Sequence, residues 1–451
     1  MVSIGYNNDV LFLILKELQN DSFALFTCLM VNKLWCDIAI PILWRNPWQY
    51  SINYSNKKYL FNIIYSYLPK DIKNSLLLPP SQPPLFNYLS FCKSINIKVI
   101  NDIVSNGPYD QLLLQQEFCR LLIRQCSRLE YLNMLSIDHQ IFYISTPLES
   151  LSELICDSST CSSYFYELAQ TCQNIQRFIV INAIVSVNDG IIKLIEVQKN
   201  LKYFEWKDNF EEVVDNFMDM DDPYYNEMLL TLVKKSDMID HLILLFHYDG
   251  HKLFEILSKF SKLKTLTLNK YCLKDTIIPM YYDLETLKVD HITINAAVNL
   301  ITNSGGKLKE VLFKYNGYYN NEYSVETYAK ETLNLIHKTY KCCSLVEILS
   351  LIFPLTTDHF IEFENLLKNC HNLKKLTLII DDINIDGNDY ERSSENVKKL
   401  LQILVKSAPI GLKEIKIFND FIPYLESLKI LEKWRDQNII ICLGVLKDFH
   451  F

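Results

Sequence analysis

One short pattern recurs along the chain: an apolar residue, two free positions, a second apolar residue, one free position and a third. It reads Leu129/Leu132/Met134, Leu151/Leu154/Cys156, Ile175/Phe178/Val180 and Leu201/Phe204/Trp206. It returns as Ile239/Leu242/Leu244, Leu263/Leu266/Leu268, Leu284/Leu287/Val289 and Leu308/Val311/Phe313. The last copies are Leu345/Ile348/Ser350, Leu373/Leu376/Leu378 and Leu412/Ile415/Ile417. The end of each copy alternates apolar and polar, which predicts a short strand with one buried face. Ahead of nearly every copy lies apolar spacing of helical period, as in Phe118, Leu121 and Leu122, or Leu400, Leu401 and Leu404. The predicted unit is helix, tight turn, strand.

The first apolar positions of successive copies are mostly 21 to 28 residues apart, with three wider gaps of 37 to 39. Over roughly residues 85–446 this resembles leucine-rich repeats, whose strand-bearing core is the same L-x-x-L-x-L. The resemblance implies an α/β solenoid, or horseshoe, in which neighbouring units stack into a continuous core. Cys126, Cys172, Cys342 and Cys370 each sit three residues before a copy, at the end of the preceding helix. Such a recurrence predicts a ladder of small core side chains. A tetrahedral metal site is not expected, because no C-x-x-C occurs and residues one repeat apart do not readily converge.

The wide gaps hold residues 207–227, 314–328 and 381–395, each between a strand and the next helix. The first and third are acidic, with Asp208, Glu211, Asp215 and Asp219 in one and Asp381, Asp382 and Asp386 in the other. The middle one carries Tyr315, Tyr318, Tyr319, Tyr323 and Tyr328. Tyrosine offers large contact area with a polar handle, so Tyr315, Tyr318, Tyr319 and Tyr323 are the candidate substrate-binding residues. Solvated loops without a partner are the competing reading.

The first fifty residues lack the repeat. Leu11, Ile14, Leu15 and Leu18 share one helical face, and Asp21-Ser22 can cap a second helix bearing Leu25, Leu29 and Met30. Val31, Leu34, Trp35, Ile38, Ala39 and Ile42 continue with helical period, with Pro41 expected to interrupt the end. A module of about 40 residues cannot bury so many large apolar side chains alone, so part of that surface must meet a partner or the repeats. The run from Cys28 to Pro47, with Val31-Asn32-Lys33-Leu34-Trp35, Ala39-Ile40-Pro41-Ile42-Leu43 and Trp44-Arg45, resembles the second half of a fungal-type F-box. Asn8-Asp9-Val10-Leu11 stands where that family usually opens with Leu-Pro.

An F-box followed by leucine-rich repeats implies, by resemblance, the substrate receptor of an SCF-type cullin–RING ubiquitin ligase. Residues 1–50 would form the F-box, 51–84 a linker with one helix and a Pro-rich loop, and 85–451 the repeat domain. On matching positions the Skp-type adaptor would meet Leu11, Ile14, Leu18, Val31 and Trp35, with Pro41, Leu43 and Trp44 turning the chain toward the repeats. The receptor itself would be non-catalytic. The residues leave two other readings open: a leucine-rich-repeat scaffold outside any ligase, and an adaptor-bound protein acting outside degradation.

Composition narrows the remaining classes. With 45 Lys+Arg against 53 Asp+Glu the net charge is −8, and the basic residues are scattered, so no nucleic-acid partner is expected. The longest apolar runs fall short of the ~20 residues that span a bilayer, and the N-terminus lacks a basic leader, so a cytoplasmic or nuclear location is expected. No phosphate-binding, zinc-protease or serine-hydrolase motif occurs, and no cofactor or metal is expected. His247, Asp249 and His251 form the nearest approach to a ligand set, with Gly250 breaking the helix they would need.

Overall fold

The computed structural model describes residues 8–49, 54–77, 80–105, 110–126, 128–135, 148–183, 188–209, 223–246, 256–269, 280–290, 293–314, 325–381, 390–418 and 439–444. The chain divides into two compact units, residues 1–202 with 209–211, and residues 203–208 with 212–451. Both are α/β, and every described strand pairs in parallel with its sequence neighbours inside its unit.

In the first unit, helices α1 (Asn8–Glu17), α2 (Ser22–Leu29) and α3 (Lys33–Arg45) precede α4 (Tyr54–Ser66), α5 (Lys70–Ser75) and α6 (Tyr88–Phe91). Strand β1 (Ser94–Asn96) then leads into α7 (Ile97–Val104), α8 (Gln111–Gln125), β2 (Tyr131–Asn133), β3 (Glu153–Asp157), α9 (Ser162–Thr171), β4 (Arg177–Asn182) and α10 (Asp189–Val197). The second unit begins with β5 (Tyr203–Asp208), α11 (Pro223–Val233), β6 (His241–Leu245), β7 (Thr265–Asn269) and β8 (Thr286–Asp290). It continues through α12 (Ile294–Thr302), β9 (Glu310–Lys314), α13 (Val325–Cys342), β10 (Ile348–Pro354) and α14 (Thr357–Asn369). It closes with β11 (Lys375–Asp381), α15 (Tyr390–Ser407), β12 (Glu414–Phe418) and β13 (Ile440–Gly444). Strands β1 and β13 extend the array beyond the copies predicted from the motif.

Parallel strands in sequence order need a crossover between each pair, and among the described residues helices supply it between β1 and β2, β3 and β4, β5 and β6, and at each step from β8 to β12. The register aligns one apolar position per strand: Ile95, Leu132, Leu154 and Phe178 in the first unit. In the second unit the same position holds Phe204, Leu242, Leu266, Leu287, Val311, Leu349, Leu376 and Ile415. All are buried, together with the helix stripes that include Phe118, Phe165, Leu194, Leu300 and Phe363. Each such side chain contributes about 1.5–3 kcal/mol of transfer free energy. At the turn before β9, Gly305 and Gly306 take φ of +68° and +79°, and a Cβ on Gly305 would lie 2.7 Å from the Tyr282 backbone. Only glycine fits that approach.

Four expectations are corrected. The ninth copy of the motif is shifted by one residue. Ile348 pairs with Glu310 and Leu349 with Val311, so the copy is Val346/Leu349/Leu351 rather than Leu345/Ile348/Ser350. Leu345 accordingly stands exposed while Val346 is buried. The ladder cysteine is therefore Cys343, fully buried, and not its half-buried neighbour Cys342. Pro41 does not end a helix: α3 runs through it to Arg45. Tyr328 belongs to the helix α13, where it is buried.

Two helices, α4 and α5, occupy the 51–84 segment, separated at Pro69, which cannot continue α4 and stands at the N-cap of α5.

The cysteine ladder has a hydrogen-bonding reason. Cys126 and Cys172 cap the C-termini of α8 and α9. Their thiols donate to the carbonyls of Leu89 at 3.9 Å and Leu148 at 3.4 Å, each at the same motif position one repeat earlier. A small side chain thus fills the layer and gives a second partner to a carbonyl that already accepts the N–H three residues on.

Candidate protein-docking surface

The three N-terminal helices form a core of their own. Leu11, Leu15, Leu25, Cys28, Ala39, Ile42 and Leu43 are buried in it, with Leu18, Leu29, Leu34, Trp35, Ile38 and Trp44 packed against them. Caps fix the helix starts: Asp21 Oδ1 accepts the Ala24 N–H at 2.9 Å, and Asn32 Oδ1 accepts the Trp35 N–H at 3.0 Å.

That core leaves a second set of large apolar side chains in solvent. On α1, Val10, Leu13 and Ile14 lie on one face and Phe12 on the other flank, around a buried stripe of Leu11 and Leu15. On α2, Phe23, Phe26 and Met30 fall at i, i+3 and i+7, opposite Leu25 and Cys28; Phe23 is 83% exposed and Met30 86%. Val31 follows at 54%. Scattered apolar side chains are normal on a protein surface; eight within 22 residues are not.

Of the residues predicted from sequence to meet an adaptor, Ile14 and Val31 lie on this exposed surface, each at 54%. Leu18 and Trp35 are half-buried against the module core, and Leu11 is inside it at 5% exposure. Leu11 therefore holds α1 in place. Phe23, Phe26 and Met30 were not read as docking residues because α2 is apolar all round, so period alone could not say which face the core would take. Only the placement of α3 decides it.

The module sits on the first repeat through polar and aromatic contacts. The Trp48 indole donates to the Ser94 carbonyl at 2.6 Å, and the Lys93 N–H donates to the Arg45 carbonyl at 2.9 Å. Trp44 packs on Tyr88 with ring centroids 4.8 Å apart. Glu130 receives Arg45 at 2.7 Å and Lys93 at 2.6 Å. Burial works to raise the Glu130 carboxyl, but these two cations outweigh it and hold it below the usual range.

The strand face turned away from the helices is the second surface. In the second unit its first row runs Tyr203, His241, Thr265, Thr286, Glu310, Ile348, Lys375 and Glu414. Glu310 pairs with Lys288 at 3.1 Å, Glu414 with Lys375 at 2.9 Å, and His241 Nδ1 meets Thr265 Oγ1 at 2.9 Å. The surface is mixed in charge, with Ile243, Leu245 and Leu312 half-buried among the polar groups.

Tyr315, Tyr318, Tyr319 and Tyr323, the acidic residues 210–222 and 382–389, and His247 to His251 lie outside the described residues. Among the described residues no three His, Cys, Asp or Glu side chains are grouped to hold a metal ion, and no helix is long and apolar enough to cross a membrane. No protein-family model matches the chain, and no curated protein matches it.

Proposed function

We propose that the chain is a non-catalytic substrate receptor of an SCF-type ubiquitin ligase in the cytoplasm or nucleus. In this reading α1–α3 are an F-box that docks a Skp-type adaptor and, through it, a cullin. The repeats form a leucine-rich-repeat solenoid that holds a protein substrate. One observation carries it: a three-helix module with a complete core still exposes Val10, Leu13, Ile14, Phe23, Phe26, Met30 and Val31. Burying an apolar surface of that kind on a partner is the main source of association free energy. The Val31–Arg45 run on the same module carries the F-box resemblance. Ubiquitin transfer would be accelerated by proximity, because carrier and substrate share one scaffold and their effective concentration rises.

The test is binding of the purified full chain to a Skp-type adaptor, with Ile14→Asp and Met30→Asp as variants. Both side chains are exposed, so neither change disturbs the module core. Saturable binding that the variants weaken tenfold or more supports the reading. Absence of binding by the wild type would sink it and leave an interaction scaffold, with Asn8-Asp9-Val10-Leu11 as the reason the docking face does not engage.

A further inference from the structure

Between α5 and α6 the chain reads Pro80-Ser81-Gln82-Pro83-Pro84-Leu85, a run that adaptor docking does not use. Each proline ring fixes its own φ at about −65°, and a residue before proline is steered to extended backbone. Pro80, Gln82, Pro83 and Pro84 are therefore set toward polyproline II by covalent structure alone. Among the described residues the run joins no helix or strand and makes no backbone–backbone hydrogen bond, as that conformation requires. Its exposure follows the three-residue turn of a polyproline II helix. Ser81 and Pro84 are half-buried, while Pro80 and Pro83, also three apart, stand in solvent. Leu85 beside them is 92% exposed.

The run is tied at both ends. Lys73 Nζ on α5 donates to the Ser81 hydroxyl at 3.0 Å and to the Ser66 carbonyl at 2.9 Å. The Tyr67 hydroxyl donates to the Phe86 carbonyl at 2.8 Å and accepts the Tyr88 N–H at 2.9 Å. Ordering entropy is thus already lost in the folded chain, which favours capture by a partner. Leu77, following the C-cap of α5, takes φ of +53°, where glycine is usual. Its side chain is 88% exposed, so burial within the chain does not offset that strain.

We propose that residues 80–85 are a docking motif for a protein domain that takes polyproline II in an aromatic-lined groove. The outward pair Pro80 and Pro83 has the P-x-x-P spacing that such grooves read, and Leu85 extends the apolar contact. The run itself carries no charge, and the Lys73 ammonium beside Ser81 favours a groove with an acidic rim. The motif includes none of the α1–α2 docking residues, so it stands whether or not that module binds an adaptor.

The test is isothermal titration of the full chain against a panel of purified SH3 and WW domains. Saturable binding by a member of the panel is expected, displaced by a decaproline peptide that fills the same groove. The double variant Pro80→Ala/Pro83→Ala should weaken it at least tenfold with an unchanged thermal midpoint, because both rings are exposed. Ile14→Asp, which addresses the adaptor face, should bind the same domain as tightly as wild type. Failure of every domain to bind overturns the proposal and leaves the run a stiff spacer. Binding that survives the double variant, or that Ile14→Asp abolishes, overturns it by assigning the contact to another surface.

Discussion

The Arg45 guanidinium lies 2.7 Å from the Glu130 carboxylate, joining the last residue of α3 to the residue before β2 across 85 positions of sequence. Lys93 closes the clamp from the other side at 2.6 Å. Backbone bonds run alongside, from the Lys93 N–H to the Arg45 carbonyl and from the Glu130 N–H to the Lys93 carbonyl. Because the side chains are partly exposed, the Arg45–Glu130 pair contributes about 0.5–1 kcal/mol rather than the larger figure of a buried pair. A urea-unfolding double-mutant cycle of Arg45→Gln and Glu130→Gln should return a coupling of that size at neutral pH. The Glu130 carboxyl is depressed in the folded chain, so its contribution is present above the unfolded value and lost as pH falls through the folded one. The Glu130→Gln deficit should therefore vanish in acid. A deficit that persists there would mean that shape rather than charge matters at this position.

His359 predicts acid sensitivity of the same sign from a different cause. It is buried at the first turn of α14, with Nε2 2.9 Å from Thr332 Oγ1 and Nδ1 2.7 Å from Thr356 Oγ1. Phe353 packs edge-on against the ring at 6.1 Å. Burial lowers its pKa from 6.5 to about 4, against a smaller opposing pull from Asp358. Above the unfolded value both states hold a neutral ring. As pH falls from there to the folded value only the unfolded chain takes the proton, so stability declines by up to about 3 kcal/mol over that interval. A His359→Gln variant should show a flatter profile in that window when thermal midpoints are compared. An unchanged slope would assign the acid sensitivity elsewhere.

The N-terminal module separates core from surface within two adjacent helices. Leu15 is fully buried, so Leu15→Ala should cost about 2–5 kcal/mol in unfolding free energy. Phe23 stands in solvent, and Phe23→Ser should change stability by less than about 0.5 kcal/mol. Circular dichroism melts check both. If Phe23→Ser destabilises the chain as much as Leu15→Ala, α2 is packed by its other face and the docking surface is misassigned.

The repeat architecture was legible because its signal is redundant. A strand with one buried face and a helix before it recur often enough that no single copy has to be right. Residues such as Leu132, Leu242 and Leu376 all entered the core as the spacing required. The N-cap at Asp21 follows from side-chain chemistry alone. What escaped was set by tertiary placement. Nothing in Phe23, Phe26 or Met30 distinguishes them from Leu25 or Cys28 until α3 takes one side of α2.

The doublets Leu345-Val346 and Ile348-Leu349 fit the repeat pattern in two registers one residue apart. A one-residue slip sends every side chain of a strand to the opposite face, so the choice has a measurable energy. Pairing of Ile348 with Glu310 selects the register in which Glu347 takes the place of Lys309 in the preceding repeat. In that place the Glu347 carbonyl accepts the N–H groups of Lys374 and Lys375, and its carboxylate lies 2.6 Å from the Lys374 ammonium. Val346→Ala should then cost about 2 kcal/mol, while Leu345→Ala stays within about 0.5 kcal/mol. The same shift makes Cys343→Ser the damaging change of its pair and Cys342→Ser the neutral one. Guanidinium unfolding of the four variants decides it: a larger loss at Leu345 and Cys342 would restore the other register, with Ile348 facing the helices and β10 turned over.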